Sequence, residues 1–329
     1  MLSSHLATGF LMSIAWFKRA NGLAWLAGLG VFLHALAIHS QSLPYTTDEL
    51  QYVAWSKDLD WGYFSKPPGI AFALWLWSTM DPLAGELRFF AQLCYGFSLF
   101  ISYKLFREDG QSRGRALTAS LILGSIPLIG FAQWFFTTDA LLLICWLMAL
   151  ALAWRALQAS QAQSAMLWWC GLGVVVALGV LCKHSMVFFW VGMLAYWVSI
   201  RSSMRQHWAG MLLCGLVFVL LLIPHMLWLL EHPGTTIKHL IDLQQRTLQP
   251  GEESANPQSL ISLARGLSQA LEFTAAQWLG LGFGVVLVLR RRKPLSGLQR
   301  WLLVHSLTVL AVFVIQAGAA RIFKSTPLG

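Results

Sequence analysis

"TTDELQYVAWSKDLDWGYFSKPPGIAF", Thr46 to Phe72, gathers four acids and two lysines in one short segment of a chain that otherwise avoids charge. Its surroundings decide how it is read. The 329 residues are 57% hydrophobic and only 11% charged, with 17 Trp, a composition outside the range of soluble globular domains. The segment is therefore expected to be a loop between membrane spans. Runs such as "LAWLAGLGVFLHALAI" (23–38) and "MLLCGLVFVLLLIPHMLWLL" (211–230) approach or reach the roughly 20 residues that cross a hydrocarbon core.

Charge bias orients the spans. With Lys18/Arg19, Lys104/Arg107/Arg113/Arg115, Arg155, Arg201/Arg205 and Arg290 to Lys293 with Arg300 on the cytoplasmic side, the apolar runs thread as nine spans from an inside N-terminus. They fall at 22–39, 86–106, 116–134, 139–155, 166–182, 184–200, 208–230, 271–289 and 301–319. The apolar stretch 67–80 is too short to cross and is expected to lie along the outer interface. This threading puts every acid except Glu108 and Asp109 on the outer side, where two long loops, 40–85 and 231–270, are the places to look for function.

Other function classes fit poorly. Basic residues among membrane loops follow the positive-inside bias and do not imply nucleic-acid binding. Cys94, Cys145, Cys170, Cys182 and Cys214 lie within or beside apolar runs without C-x-x-C spacing, as buried thiols do. "HLATGFLMSIAWFKRANG" carries its positive charges after the apolar run, so no cleavable signal is expected, only an amphipathic or loosely ordered N-terminal segment.

Within the first outer loop, Thr46 followed three residues later by Glu49 predicts a capped helix, with Leu50, Val53 and Ala54 as its apolar stripe. Asp48 and Glu49 suit the first turn of that helix as well as they suit catalysis. "GYFSKPPG" holds Lys66 in extended backbone, as a membrane anchor or a phosphate ligand. Asp139 opens the span "FFTTDALLL", where an acid is costly unless paired or used.

Asp48-Glu49 followed by "WGYFSKPPGIAF" resembles the D-E…G-Y-x-x-[HK]-P-P region of GT-C glycosyltransferases that use polyprenyl-phosphate sugars, the protein O-mannosyltransferases and lipid A aminoarabinose transferases. "GELRFF", "FFTTDALLLICW", "GLGVVVALGVLCKHSMVFF" and "IPHMLWLLEHPG" resemble later segments of that family in the same order, over residues 22 to 250. Ala140-Leu141 and Leu229 depart from its usual residues. The resemblance implies an all-α polytopic fold of about nine spans with juxtamembrane helices in the outer loop. It also implies one membrane-embedded module over 1–329, without the soluble periplasmic domain of larger members.

By the same resemblance, the protein sits in the bacterial inner membrane and inverts a sugar from a polyprenyl-phosphate donor onto a lipid, glycan or protein acceptor. Asp48 takes the place of the base, with Glu49 and Asp139 as further acids. Lys66, Arg88, Lys183 and His184 are the expected donor-phosphate ligands; Arg88 could instead pair with Glu86 or Asp81. Tyr63 and His232 are the expected substrate contacts. Paired acids such as Asp48 and Asp139 suit Mg²⁺ or Mn²⁺, but no D-x-D spacing is present, so metal dependence stays open. The rival readings are a transporter or flippase of lipid-linked sugars, which would carry ionisable groups near the membrane midplane, and a shortened, non-catalytic paralogue.

Overall fold

The computed structural model describes residues 44–80, 87–124, 126, 129, 135–199, 206–234 and 294–324, and among them every regular element is helical. They are α1 (Thr47–Lys57), α2 (Gly69–Met80), α3 (Leu87–Glu108), α4 (Arg113–Gly124), α5 (Thr138–Gln158), α6 (Ala162–Cys182), a 3₁₀ turn (His184–Phe188), α7 (Phe189–Ser199), α8 (Trp208–Glu231) and α9 (Gly297–Lys324). Four stretches, Leu87–Glu108, Thr138–Gln158, Gln163–Cys182 and Trp208–Glu231, are long and apolar enough to cross a membrane. They coincide with the expected spans at 86–106, 139–155, 166–182 and 208–230. The run expected at 184–200 begins instead as the 3₁₀ turn before α7. The run expected at 116–134 overlaps α4, and that at 301–319 falls inside α9. The expected spans 22–39 and 271–289, the N-terminal segment and residues 235–270 of the second outer loop lie outside the described residues.

A bundle whose solvent is lipid inverts the usual rule for its outer face. Along α8, Leu212, Leu216, Val219, Leu220, Met226 and Leu230 are all more than half exposed, a continuous apolar surface that water would penalise and hydrocarbon accepts. Where α5 meets α6 small residues are prominent: Ala149, Ala153 and Ala156 of α5 share a core with Leu172, Val176 and Ala177 of α6. Small side chains let helix backbones approach closely where dispersion is the main attraction. From this core α6 packs on α8, α5 on α3, and α7 on α9.

The loop helices close one end of the bundle. Tyr52 of α1, Ile70 and Leu74 of α2, Leu87 and Ala91 of α3, and Phe136 just before α5 form a second buried cluster. α2 meets the end of α6 through Gly69, where a Cβ would lie 2.6 Å from the Leu181 carbonyl oxygen and 2.9 Å from the Cys182 nitrogen. Gly62 is equally constrained, a Cβ there falling 2.2 Å from the Trp228 ring of α8. These two contacts press the 61–69 segment onto the ends of α6 and α8.

Of the expected apolar stripe of α1, Val53 alone turns inward, partly buried against the second cluster. Leu50 is 55% exposed and Ala54 is exposed, whereas Glu49, Tyr52 and Ser56 are buried. The face is selected by a charge partner for Glu49 from another helix, which hydrophobic spacing does not encode.

Because the obstacle at Gly69 is backbone that cannot rotate away, Gly69→Ala should cost about 1–3 kcal/mol of stability by thermal unfolding in detergent. Gly110→Ala is the control for a different cause: its positive φ of 74° strains a side chain, but nothing lies in the way.

Candidate active site

The site is built from the start of α1. Thr46 Oγ1 accepts from the Glu49 amide at 3.2 Å and Glu49 Oε2 accepts from the Thr46 amide at 2.8 Å, closing the capping box the sequence predicts. The Glu49 carboxylate, with no solvent exposure, also takes Arg88 Nε on Oε1 at 3.2 Å, Arg88 Nη2 on Oε2 at 3.1 Å and the Phe136 amide on Oε1 at 3.2 Å. Burial pulls this carboxyl upward, but the bonds from Arg88, Thr46 and Phe136 outweigh it and hold the group below its ordinary value.

Glu49 and Arg88, expected as a further acid and a donor-phosphate ligand, are therefore bound to each other. With both oxygens occupied, Glu49 is a tie between α1, α3 and the start of α5. Arg88, 4% exposed, also donates to the Pro44 carbonyl at 2.9 Å and lies 5.4 Å from the ring centres of Tyr45 and Phe135. Its fork is turned onto Glu49; Glu86 and Asp81, the other partners expected from the sequence, lie outside the described residues.

Asp48, one residue earlier, faces the other way. It is exposed, and one oxygen, Oδ2, accepts from the Tyr52 hydroxyl at 3.3 Å. Tyr52 is 1% exposed, and its phenol proton is held far more tightly than usual, first by burial and then by the charges of Asp48, Asp139 and Glu49. This one phenol feels all three expected acids. Asp139, in the first turn of α5, pairs with Lys183 at the end of α6, Nζ to Oδ1 at 2.6 Å, with both side chains partly exposed. Two residues assigned separate roles from sequence thus form one ion pair.

Lys66 is half-buried between Ser65 and the buried Pro67 and Pro68, its carbonyl accepting from the Tyr63 amide at 3.1 Å. Among the described residues it makes no ion pair. Tyr63 stacks on Trp55 with ring centres 4.4 Å apart, and its hydroxyl bonds Trp55, Asp58 and Asp60 backbone groups. That oxygen organises the loop, which leaves the ring for any sugar contact. His184 meets His225 of α8, Nε2 to Nε2, at 3.1 Å. His232 ends α8, stacked on Trp228 at 4.4 Å with Nδ1 3.0 Å from the Trp228 carbonyl. Trp228 in turn donates to Asp60 Oδ2 at 2.8 Å.

The donor set does not fit a hard divalent cation among the described residues. One Asp139 oxygen faces Lys183, one Asp48 oxygen faces Tyr52, and no group of three His, Cys, Asp or Glu side chains comes together.

Tyr52 and His225 are the residues the sequence reading passed over. Tyr52 lies four residues after Asp48, the same-face helical spacing that lets its hydroxyl reach that carboxylate. His225 is an ionisable residue inside an apolar run, which is itself a signal of function.

A model of the dolichyl-phosphate-mannose-protein mannosyltransferase family matches residues 65–228. Over 322 residues, 93% of its length, the chain is 25% identical to the lipid A galacturonosyltransferase RgtD of Rhizobium johnstonii, and it spans 62% of that relative. No solved structure matches the chain.

The Glu49 carboxyl is depressed, so the stability it contributes is present above its unfolded value of 4.5 and is lost as pH falls through the lower folded value. The melting temperature should therefore stay level from neutral pH to about 5 with respect to this group and fall in more acid solution. Arg88→Met, which leaves the buried carboxylate unpaired, should cost about 3–5 kcal/mol at pH 7.

Proposed function

The chain belongs to the GT-C superfamily of glycosyltransferases, and on that premise we propose that it moves a sugar from a polyprenyl-phosphate donor onto a hydroxyl of a lipid acceptor at the outer face of the bacterial cytoplasmic membrane. The observation that carries the reading is the contrast between adjacent acids. Glu49 is sealed and saturated, while Asp48 is exposed with no partner on Oδ1 among the described residues, in the same electrostatic group as the Asp139–Lys183 pair. The acidic loop on the outer side of the charge-derived threading supports the location.

In this mechanism the acceptor hydroxyl attacks the anomeric carbon from the face opposite the phosphate. A new carbon–oxygen bond forms, the bond to the phosphate oxygen breaks, and the configuration inverts. Asp48 takes the hydroxyl proton, which a positioned carboxylate can accelerate by roughly 100- to 10,000-fold. The electron pair leaves with the polyprenyl phosphate. Lys66 neutralises that charge, and Lys183, anchored by Asp139, presents its remaining N–H bonds to it. The relative's printed activity makes galacturonic acid and lipid A the first sugar and acceptor to assay.

Turnover of Asp48→Asn should fall about 100-fold or more, with a stability change below about 1 kcal/mol. Lys66→Ala should weaken donor binding about tenfold at unchanged stability, the loss of one charge-assisted bond. Sugar transfer from a radiolabelled polyprenyl-phosphate donor and thermal unfolding measure both; near-wild-type turnover in Asp48→Asn would sink the mechanism.

A further inference from the structure

His225 lies inside α8, is 2% exposed, and has its two ring nitrogens on different partners. Nδ1 is 2.7 Å from the Trp61 carbonyl oxygen, and Nε2 is 3.1 Å from Nε2 of His184. The ring centres are 5.4 Å apart, so the imidazoles meet edge to edge through those nitrogens. No ion pair involves either histidine among the described residues.

These contacts fix the protons. A carbonyl only accepts, so His225 Nδ1 carries hydrogen. A ring this buried and without a counter-ion is neutral, because an isolated charge there is strongly disfavoured. Its Nε2 is therefore a bare acceptor, and His184 Nε2 must donate to it. In neutral His184 the proton is then on Nε2, and Nδ1 is left as an unprotonated lone pair. His184 itself is exposed and directly follows Lys183, whose ammonium holds Asp139.

Building on the glycosyltransferase reading, we propose that His184 accepts a hydrogen bond from a substrate hydroxyl through Nδ1, its tautomer set by the relay from the Trp61 carbonyl through His225. This differs from the phosphate contact expected from the sequence. A bare nitrogen lone pair repels phosphate oxygens, which only accept, whereas a sugar or acceptor hydroxyl supplies the donor it lacks. His225 is a positioning residue in this arrangement. Trp61 ties the relay to the first outer loop, so the loop's seating decides which nitrogen of His184 faces substrate.

The tautomers can be read without catalysis. Nitrogen NMR of histidine-labelled protein in bilayers, with signals assigned through His184→Gln and His225→Gln, should show His225 protonated on Nδ1 and His184 on Nε2. In His225→Gln the His184 signal should lose its single-tautomer character. A proton on Nδ1 of His184 in the wild type overturns the proposal whether or not the protein transfers sugar.

Binding supplies the second arm. His184→Gln keeps an N–H for His225 but removes the acceptor at the Nδ1 position, and it should leave affinity for sugar-free polyprenyl phosphate unchanged. It should raise KM about 5- to 10-fold for whichever substrate brings the hydroxyl, the donor sugar or the acceptor. His184→Asn, whose amide oxygen can replace Nδ1, should recover much of that loss. Weakened binding of bare polyprenyl phosphate, or unchanged KM for both substrates, would refute the assignment, while a chain inactive in every form but with the stated tautomers would point to failure of the glycosyltransferase reading instead.

Discussion

A carboxylate with no solvent exposure is tolerable only if its charge and lone pairs are matched, and Glu49 meets that condition with Arg88 and two backbone amides. Those partners come from three places in the chain: the cap of α1, the first turn of α3 and the residue run leading into α5. The pair is thus a positional constraint. If α1 slid or rolled by one residue, a buried charge would be stranded, so the outer loop has one seating on the bundle rather than a range of them.

The chemistry of the site depends on that seating. Consecutive helical residues point about 100° apart, so fixing Glu49 inward turns Asp48 toward the open side, and the same-face spacing sets Tyr52 against Asp48. Glu49 holds the loop and Asp48 is left exposed. A similar economy joins Asp139 to Lys183: an acid at the start of α5 and a cation at the end of α6 neutralise each other where an apolar bundle meets water.

The 61–69 segment carries the loop's influence to the far helices. Gly62 and Gly69 allow it to touch α8 and α6 without side chains intervening, and Trp61, Asp60 and Tyr63 then use backbone and side-chain bonds to hold the surrounding turns. The Trp61 carbonyl and the Asp60 carboxylate thereby meet His225 and Trp228 in the last two turns of α8.

Composition alone determined that the chain is a helical membrane protein with four acids gathered in one short segment, because hydrophobic length and charge spacing are properties of sequence segments taken one at a time. The capping box at Thr46–Glu49 was legible for the same reason: its donor and acceptor are three residues apart. The order of motifs carried the family. The tertiary structure decided what joins distant segments, which residue spacing does not encode: Glu49 with Arg88, Asp139 with Lys183, and His184 with His225. It also set the buried face of α1, since a charge matched by another helix can be buried while Leu50 faces outward.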